Sequence, residues 1–254
     1  MTKRGKTLIF VIAVTVVSAV LNGCAESDTA MSPTDSGDPH SFPTPRTGSI
    51  LPLQLGNEWA YSDTRYDSSG TIEHSRAEYN VAISRAYGKT PSDSLIPLDW
   101  QSSVPDTPYD YYVYGREVEA VGRGTLLAYL DVDVDTPGVY LIGTFTKTAV
   151  SPYASPVLWL AYPAAREMTY QCTHGSSHVT VTVVSTDTSF YFPDRLAGST
   201  APVRFVSSCY LYREDDSGGT TYRYFHKEYG ELGGLRYEHG RLVLSYALTL
   251  YALH

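Results

Sequence analysis

Residues 178–184 read His-Val-Thr-Val-Thr-Val-Val. Val179, Val181 and Val183 fall on one side of an extended chain, with Thr180 and Thr182 on the other. That period of two matches a half-buried strand and not the 3.6-residue turn of a helix. The same period recurs elsewhere. Tyr79, Val81 and Ile83 alternate with Asn80, Ala82 and Ser84, and Leu242, Leu244, Tyr246, Leu248 and Leu250 alternate with smaller or more polar neighbours. Turn residues punctuate these runs at Asp67-Ser68-Ser69-Gly70, Gly122-Arg123-Gly124, Asp135-Thr136-Pro137-Gly138, Gly175-Ser176-Ser177 and Asp216-Ser217-Gly218-Gly219. The spacing predicts roughly ten to twelve antiparallel strands from Ile50 onward, with at most a short helix around Ser155–Ala165. The expected class is all-β or nearly so. Many strands in one chain must close on themselves or stack to bury their apolar faces. A strongly curved or barrel-like antiparallel sheet is therefore the first expectation and a two-sheet sandwich the second.

Composition agrees. Of 254 residues, 43% are hydrophobic and 18% charged, which excludes a disordered chain. Tyrosine, at 22 residues against 7 Phe and 3 Trp, suits pleated surfaces with one wet end. The formal charge of −8 argues against a nucleic-acid partner. Three cysteines are too few for a disulfide scaffold.

The start of the chain decides the expected compartment. Lys3, Arg4 and Lys6 precede the apolar run Leu8–Leu21, which as a helix would span about 21 Å. That is short of a hydrocarbon core of roughly 30 Å and fits a signal peptide. Leu21-Asn22-Gly23-Cys24 then resembles the lipobox of bacterial lipoproteins, with Asn22 less usual than Ala or Ser at its position. The resemblance implies diacylglycerol transfer to Cys24, further acylation such as palmitate, and cleavage before it. Ala25, where Asp would imply inner-membrane retention, points to the outer membrane in a two-membrane cell. Removal of residues 1–23 takes the basic count from 19 to 16 against 27 acidic residues, a net charge of −11. Residues 24–49 carry Pro33, Pro39, Pro43 and Pro45 among Ser, Thr, Asp and Gly, and read as a disordered tether. Residues 50–254 read as a single β-rich domain.

Leu51-Pro52-Leu53-Gln54-Leu55-Gly56-Asn57-Glu58-Trp59-Ala60-Tyr61 resembles the opening strand, PLxxGNxWxY, of uncharacterised β-rich bacterial surface lipoproteins, with a looser similarity around Tyr222–Leu244. The resemblance implies a fold and a location and carries over no catalytic residue. In this reading Gly56-Asn57 makes a turn, and Trp59 and Tyr61 point to one side.

Candidate chemistry is sparse. Cys172, His174 and His178 have metal-ligating side chains, but only three lie close together, and a hairpin tip flanked by two histidines is the preferred reading. Asp131, Asp133 and Asp135 would share one face of a strand and resemble the start of a calcium loop. Thr136 and Ile142 stand where that loop needs Gly and Glu, so a solvated face is the preferred reading. Ser199 lacks the second glycine of a nucleophile elbow because Ala201 replaces it. Glu214-Asp215-Asp216 reads as a solvated hairpin tip. Tyr109, Tyr111, Tyr112 and Tyr114, with Tyr210, Tyr212, Tyr222 and Tyr224, form either an aromatic binding platform or, by preference, cross-strand pairs. Cys172 and Cys209 would both face apolar sides of their strands and pair after export, two buried thiols being the alternative.

No cofactor and no catalytic residue is expected. The functional expectation is a lipid-anchored envelope protein with a structural or binding role, partnered by the membrane through its lipid and by an envelope protein or apolar ligand. A carrier of an apolar ligand in a curved-sheet cavity is the first alternative, and a hydrolase with an unrecognised site the second.

Overall fold

A computed structural model describes residues 49–92, 94–98, 109–131, 134–174, 177–191 and 205–253. They belong to one compact unit, Asp38–His254. The lipobox with Cys24, the tether up to residue 48, Asp133 and Ser199 lie outside the described residues. Among the described residues thirteen strands follow one another: β1 (Glu58–Tyr66), β2 (Ile72–Lys89), β3 (Leu95–Leu98), β4 (Tyr111–Val118), β5 (Arg123–Leu130), β6 (Gly138–Thr146), β7 (Val150–Ala161), β8 (Thr169–His174), β9 (Ser177–Tyr191), β10 (Phe205–Asp216), β11 (Gly219–His226), β12 (Gly230–Glu238) and β13 (Arg241–Ala252). That is one more than the upper expectation, because the short β3 adds to the meander. The short helix that the sequence allowed around Ser155–Ala165 does not form: β7 runs through to Ala161, and Val157, Leu158 and Leu160 pack as strand residues.

The strands form one antiparallel sheet in the order β7-β6-β5-β4-β2-β1-β13-β12-β11-β10-β9-β8, with β3 beside β2. The first strand pairs with the last, Trp59 opposite Tyr251 and Tyr61 opposite Leu248. The sheet is thus a nearly closed barrel whose open seam falls between the consecutive strands β7 and β8. Tyrosine phenols bridge that seam. Tyr170 on β8 donates to the Trp159 carbonyl at 2.8 Å and accepts from the Ala161 N–H at 3.0 Å. Tyr212 on β10 donates to the Ala161 carbonyl at 2.6 Å. These bonds partly replace the missing ladder and satisfy edge groups that burial would otherwise orphan.

The main core fills the concave face. Trp59, Tyr61, Val81, Leu127, Leu160, Val181, Val183, Tyr212, Phe225 and Leu232 come from strands around the barrel and are almost fully buried. Ile50, Leu51 and Leu53, just before β1, join the same cluster. A second cluster lies on the opposite face of β2, β4, β5 and β6, where Tyr87, Val113, Leu126, Ile142 and Phe145 pack against Leu95 of β3. Phe145 lies so close over Gly115 and Gly124 that a Cβ at either would collide with the ring, and Arg85 caps it 4.5 Å from the centroid.

β-Bulges decide the phase at several points. Ala60 pairs with Leu250 but Tyr61 with Leu248, so Thr249 is the extra residue and its hydroxyl donates to the Ala60 carbonyl at 3.0 Å. Strict alternation would bury Leu250 beside Leu248; the bulge instead leaves Leu250 42% exposed. On β10 the pairing with β9 shifts around Ser208, whose φ is 57°. Val206, Cys209 and Tyr212 are therefore the buried positions, and Phe205 is exposed.

The opening motif is a structural clamp. Gly56, at φ 91°, donates to the Ile83 carbonyl, and the Asn57 amide donates to the Pro52 carbonyl at 3.0 Å. Trp59 Nε1 donates to the Tyr229 carbonyl at 2.7 Å, and the Tyr61 hydroxyl to the Glu231 carbonyl at 3.0 Å. Both rings face inward and fasten β1 to the start of β12. Gly230 between those carbonyls has φ 75°, and a Cβ there would press on Leu51 and Pro52.

Candidate functional site

Charged residues occupy the barrel interior. Arg116 lies on β4, two residues beyond the buried Tyr114 and hence on the same face. Glu231 is the second residue of β12 and pairs with Phe225, with Leu232 as the extra residue of a bulge. Three strands separate β4 from β12 in the sheet, yet Arg116 Nη2 meets Glu231 Oε2 at 2.8 Å. Glu231 Oε1 accepts from Arg223 Nη1 at 2.8 Å and from the Tyr246 hydroxyl at 2.5 Å. Arg223 Nε continues to Glu214 Oε2 at 2.9 Å, and Glu214 Oε1 accepts from Trp159 Nε1 at 3.2 Å. The chain of contacts runs from β4 to β12, β11, β10 and β7, a full crossing of the concave side. Tyr246 reaches Glu231 because Gly234 leaves room beneath its ring, where any Cβ would strike the phenol.

The electrostatics follow from this packing. Burial alone would raise the Glu231 carboxyl; Arg223, Arg116 and the Tyr246 hydroxyl outweigh it and hold the group below its usual range. Burial, with Glu231 adding to it, pushes the Tyr61 and Tyr246 phenols well above theirs. For Arg223, burial works against the charge, but Tyr246, Glu214 and Glu231 more than compensate. Arg223 and Glu231 therefore remain ionised, and the two arginines of the layer balance its two glutamates in formal charge.

One step toward the β10–β11 turn lies a second layer. Arg236 pairs with Thr221 in register and grips Asp216 with Nη1 and Nη2 at 2.9 and 3.2 Å, while its Nε meets Glu238 at 3.0 Å. Asp216 also accepts from Gly218 and Gly219 N–H groups, which closes the turn. Hydrogen bonding to Arg236 lowers its carboxyl below the ordinary value. Near the same end, against the β1–β2 turn, is an open hollow of about 400 Å³ lined by Tyr66, Ser68, Ser69, Gly70, Arg241 and Leu242.

Comparison with family models, characterised proteins and solved structures finds no match for this chain.

The residues singled out from the sequence are scattered rather than convergent. Cys172 on β8 stands opposite Val179, and Cys209 on β10 opposite Thr188, nine residues further along β9. That offset is roughly 30 Å along the strand, so the expected Cys172–Cys209 disulfide does not form and both thiols are free and buried. Burial pushes each up to about 11. His178 is exposed and shares a 3.3 Å hydrogen bond with Thr173; the side chain of His174 lies outside the described ones. Asp131 and Asp135 are exposed but not on a strand, since β5 ends at Leu130 and residues 134–136 bend before β6. Among the described residues no three His, Cys, Asp or Glu side chains gather as metal ligands.

The tyrosines do not form one platform. Tyr210 and Tyr212 stack inside at 6.2 Å, while Tyr222 meets Tyr237 at 6.0 Å and Tyr224 meets Phe190 at 4.9 Å. Tyr109 and Tyr112 form a separate pair at 5.9 Å. The sequence reading of Glu214 as part of a solvated tip is also corrected: its side chain is 12% exposed and ion-paired. Arg116, Arg223 and Glu231 carried no motif. The signal for Glu214 and Arg223 was phase, since each stands two residues from a buried aromatic, Tyr212 and Phe225 respectively.

Proposed function

We propose that the protein is a lipid-anchored envelope lipoprotein whose barrel has a structural or binding role rather than a catalytic one. The lipobox reading of Leu21-Asn22-Gly23-Cys24 supports the anchoring. The interior network supports the role. A general acid or base works best with a pKa near the operating pH. Here the carboxylate is driven lower and the phenols higher, both away from neutrality. A nucleophilic cysteine needs a lowered pKa, and both described thiols are raised. An ionic layer across the barrel also counts against an apolar cargo filling it, because such a cargo would desolvate charges without pairing them.

The experiment is in two arms. Cys24→Ala is expected to release the protein from membranes and abolish lipid labelling; full membrane retention without labelling of the wild type would refute anchoring. Native mass spectrometry of the mature protein from its host is expected to show the bare chain or a non-covalently bound polar ligand. A retained lipid would replace the proposal with the carrier reading.

A further inference from the structure

Among the described residues, the ionic layer has more hydrogen-bond donors than acceptors to meet them. Arg116 carries five N–H donors: Nη2 donates to Glu231, the guanidinium also interacts with the Tyr61 hydroxyl, and its Nε is buried with no partner among the described residues. Arg223 spends Nε and Nη1 on Glu214, Glu231 and Tyr246, and its Nη2 bonds to no described group. The Tyr79 ring stacks on Tyr61 at 5.4 Å beside the same charges, and its hydroxyl donates to no described group. The carboxylates, by contrast, are engaged: Glu231 accepts three bonds and Glu214 accepts two.

Exposure is graded in the same sense. The Arg223 side chain is 28% exposed and Arg116 17%, whereas Glu231 is 2% exposed. Solvent thus reaches the two arginine side chains more than the carboxylate between them, and a group approaching from solvent meets donors first.

We propose that the space beside Arg116, Arg223 and Tyr79 is an oxyanion site, taking the carboxylate or phosphate group of a small ligand. The assignment deepens the binding role proposed above and rests on it. A donor surplus among the described residues is matched by a group that only accepts, and a planar guanidinium is suited to an oxyanion's geometry. A neutral hydroxylated ligand would bring donors of its own to carboxylates already engaged. Because the two arginines and two glutamates cancel, recognition depends on directed hydrogen bonds rather than on net charge. The overall charge of −8 would otherwise repel an anion.

The test uses the full chain in detergent, following the side-chain Nε–H resonance of Arg116 by nitrogen-15 NMR. Inorganic phosphate and acetate are titrated, with chloride at equal ionic strength as the control. A saturable shift with phosphate or acetate but not chloride is expected, and which of the two acts distinguishes the source of the oxyanion. Tyr79→Phe, which keeps the ring, should weaken binding about tenfold through loss of one charge-assisted hydrogen bond. Arg116→Lys, followed through the Nε–H resonance of Arg223, should abolish the selectivity over chloride. No saturable shift with either acid, or an equal response to chloride, would overturn the site. Should a neutral ligand from the host move the same resonance while both acids fail, the oxyanion assignment falls and the binding role stands.

Discussion

Arg116 and Glu231 meet at 2.8 Å although β2, β1 and β13 lie between their strands. Four strand spacings amount to roughly 19 Å along the sheet, so the contact exists only because the sheet curls until its concave side is a single interior. The pair reports closure as well as contributing to it. Its partner Arg223 extends the same layer to Glu214 and, through Trp159, to the far side of the seam.

Glu231→Leu leaves Arg116 facing the core without the carboxylate it pairs with and Arg223 with Glu214 alone. Breaking a buried ion pair from one side costs about 3–5 kcal/mol. Urea unfolding followed by circular dichroism should show a loss of that size. Adding Arg116→Met should recover part of it, because the second variant removes one of the stranded charges. Strict additivity of the two losses would contradict the coupling.

Tyr170→Phe deletes the hydroxyl that bridges β7 and β8. Two hydrogen bonds at about 0.5–1.5 kcal/mol each are removed, and the Ala161 N–H and Trp159 carbonyl lose a partner. Hydrogen exchange at Ala161 should accelerate strongly, while amides in the β1–β13 ladder remain protected. Uniform acceleration across the barrel would mean that the seam is not a separate weak point.

Acid should destabilise the fold in two stages. Burial holds His226 below its ordinary value of 6.5, and its Nδ1 accepts the Glu228 N–H at 3.2 Å. The unfolded chain therefore binds this proton more readily, so the stability present above pH 6.5 is lost as pH falls toward the lower folded value. Glu231 is held below its ordinary 4.5, so its contribution is present above that pH and is lost as pH drops through the folded value. Melting temperature measured against pH should show both declines, and His226→Gln should remove only the first.

Cys172 and Cys209 should both titrate as thiols in the denatured, unreduced protein, with no mass change on treatment with reductant. In the folded state they should react slowly with thiol reagents, since both are buried and raised to about 11. A mass gain of two protons on reduction would contradict the offset along β9.

Strand character was legible in the sequence because alternation is a local property of an extended chain. The valines at 179, 181 and 183 announced a strand, and Val181 and Val183 are fully buried. The turn at Asp67–Gly70 was equally legible, since Asp67 accepts from Ser69 and Thr71 within the same few residues. The need for a curved sheet followed from the number of apolar strand faces. Tertiary structure alone decided which strands meet and which face each residue takes. Extra residues at Thr249 and Leu232, and the shift around Ser208, reverse the phase without any mark in the alternation itself. The same limit hid the interior site. Arg116 and Glu231 are 115 residues apart, and a charge at such a position reads as solvated until closure supplies its partner. Cys172 and Cys209, both apolar-facing by local pattern, are held apart because register along β9, and not facing, sets how far two strands' residues lie from each other.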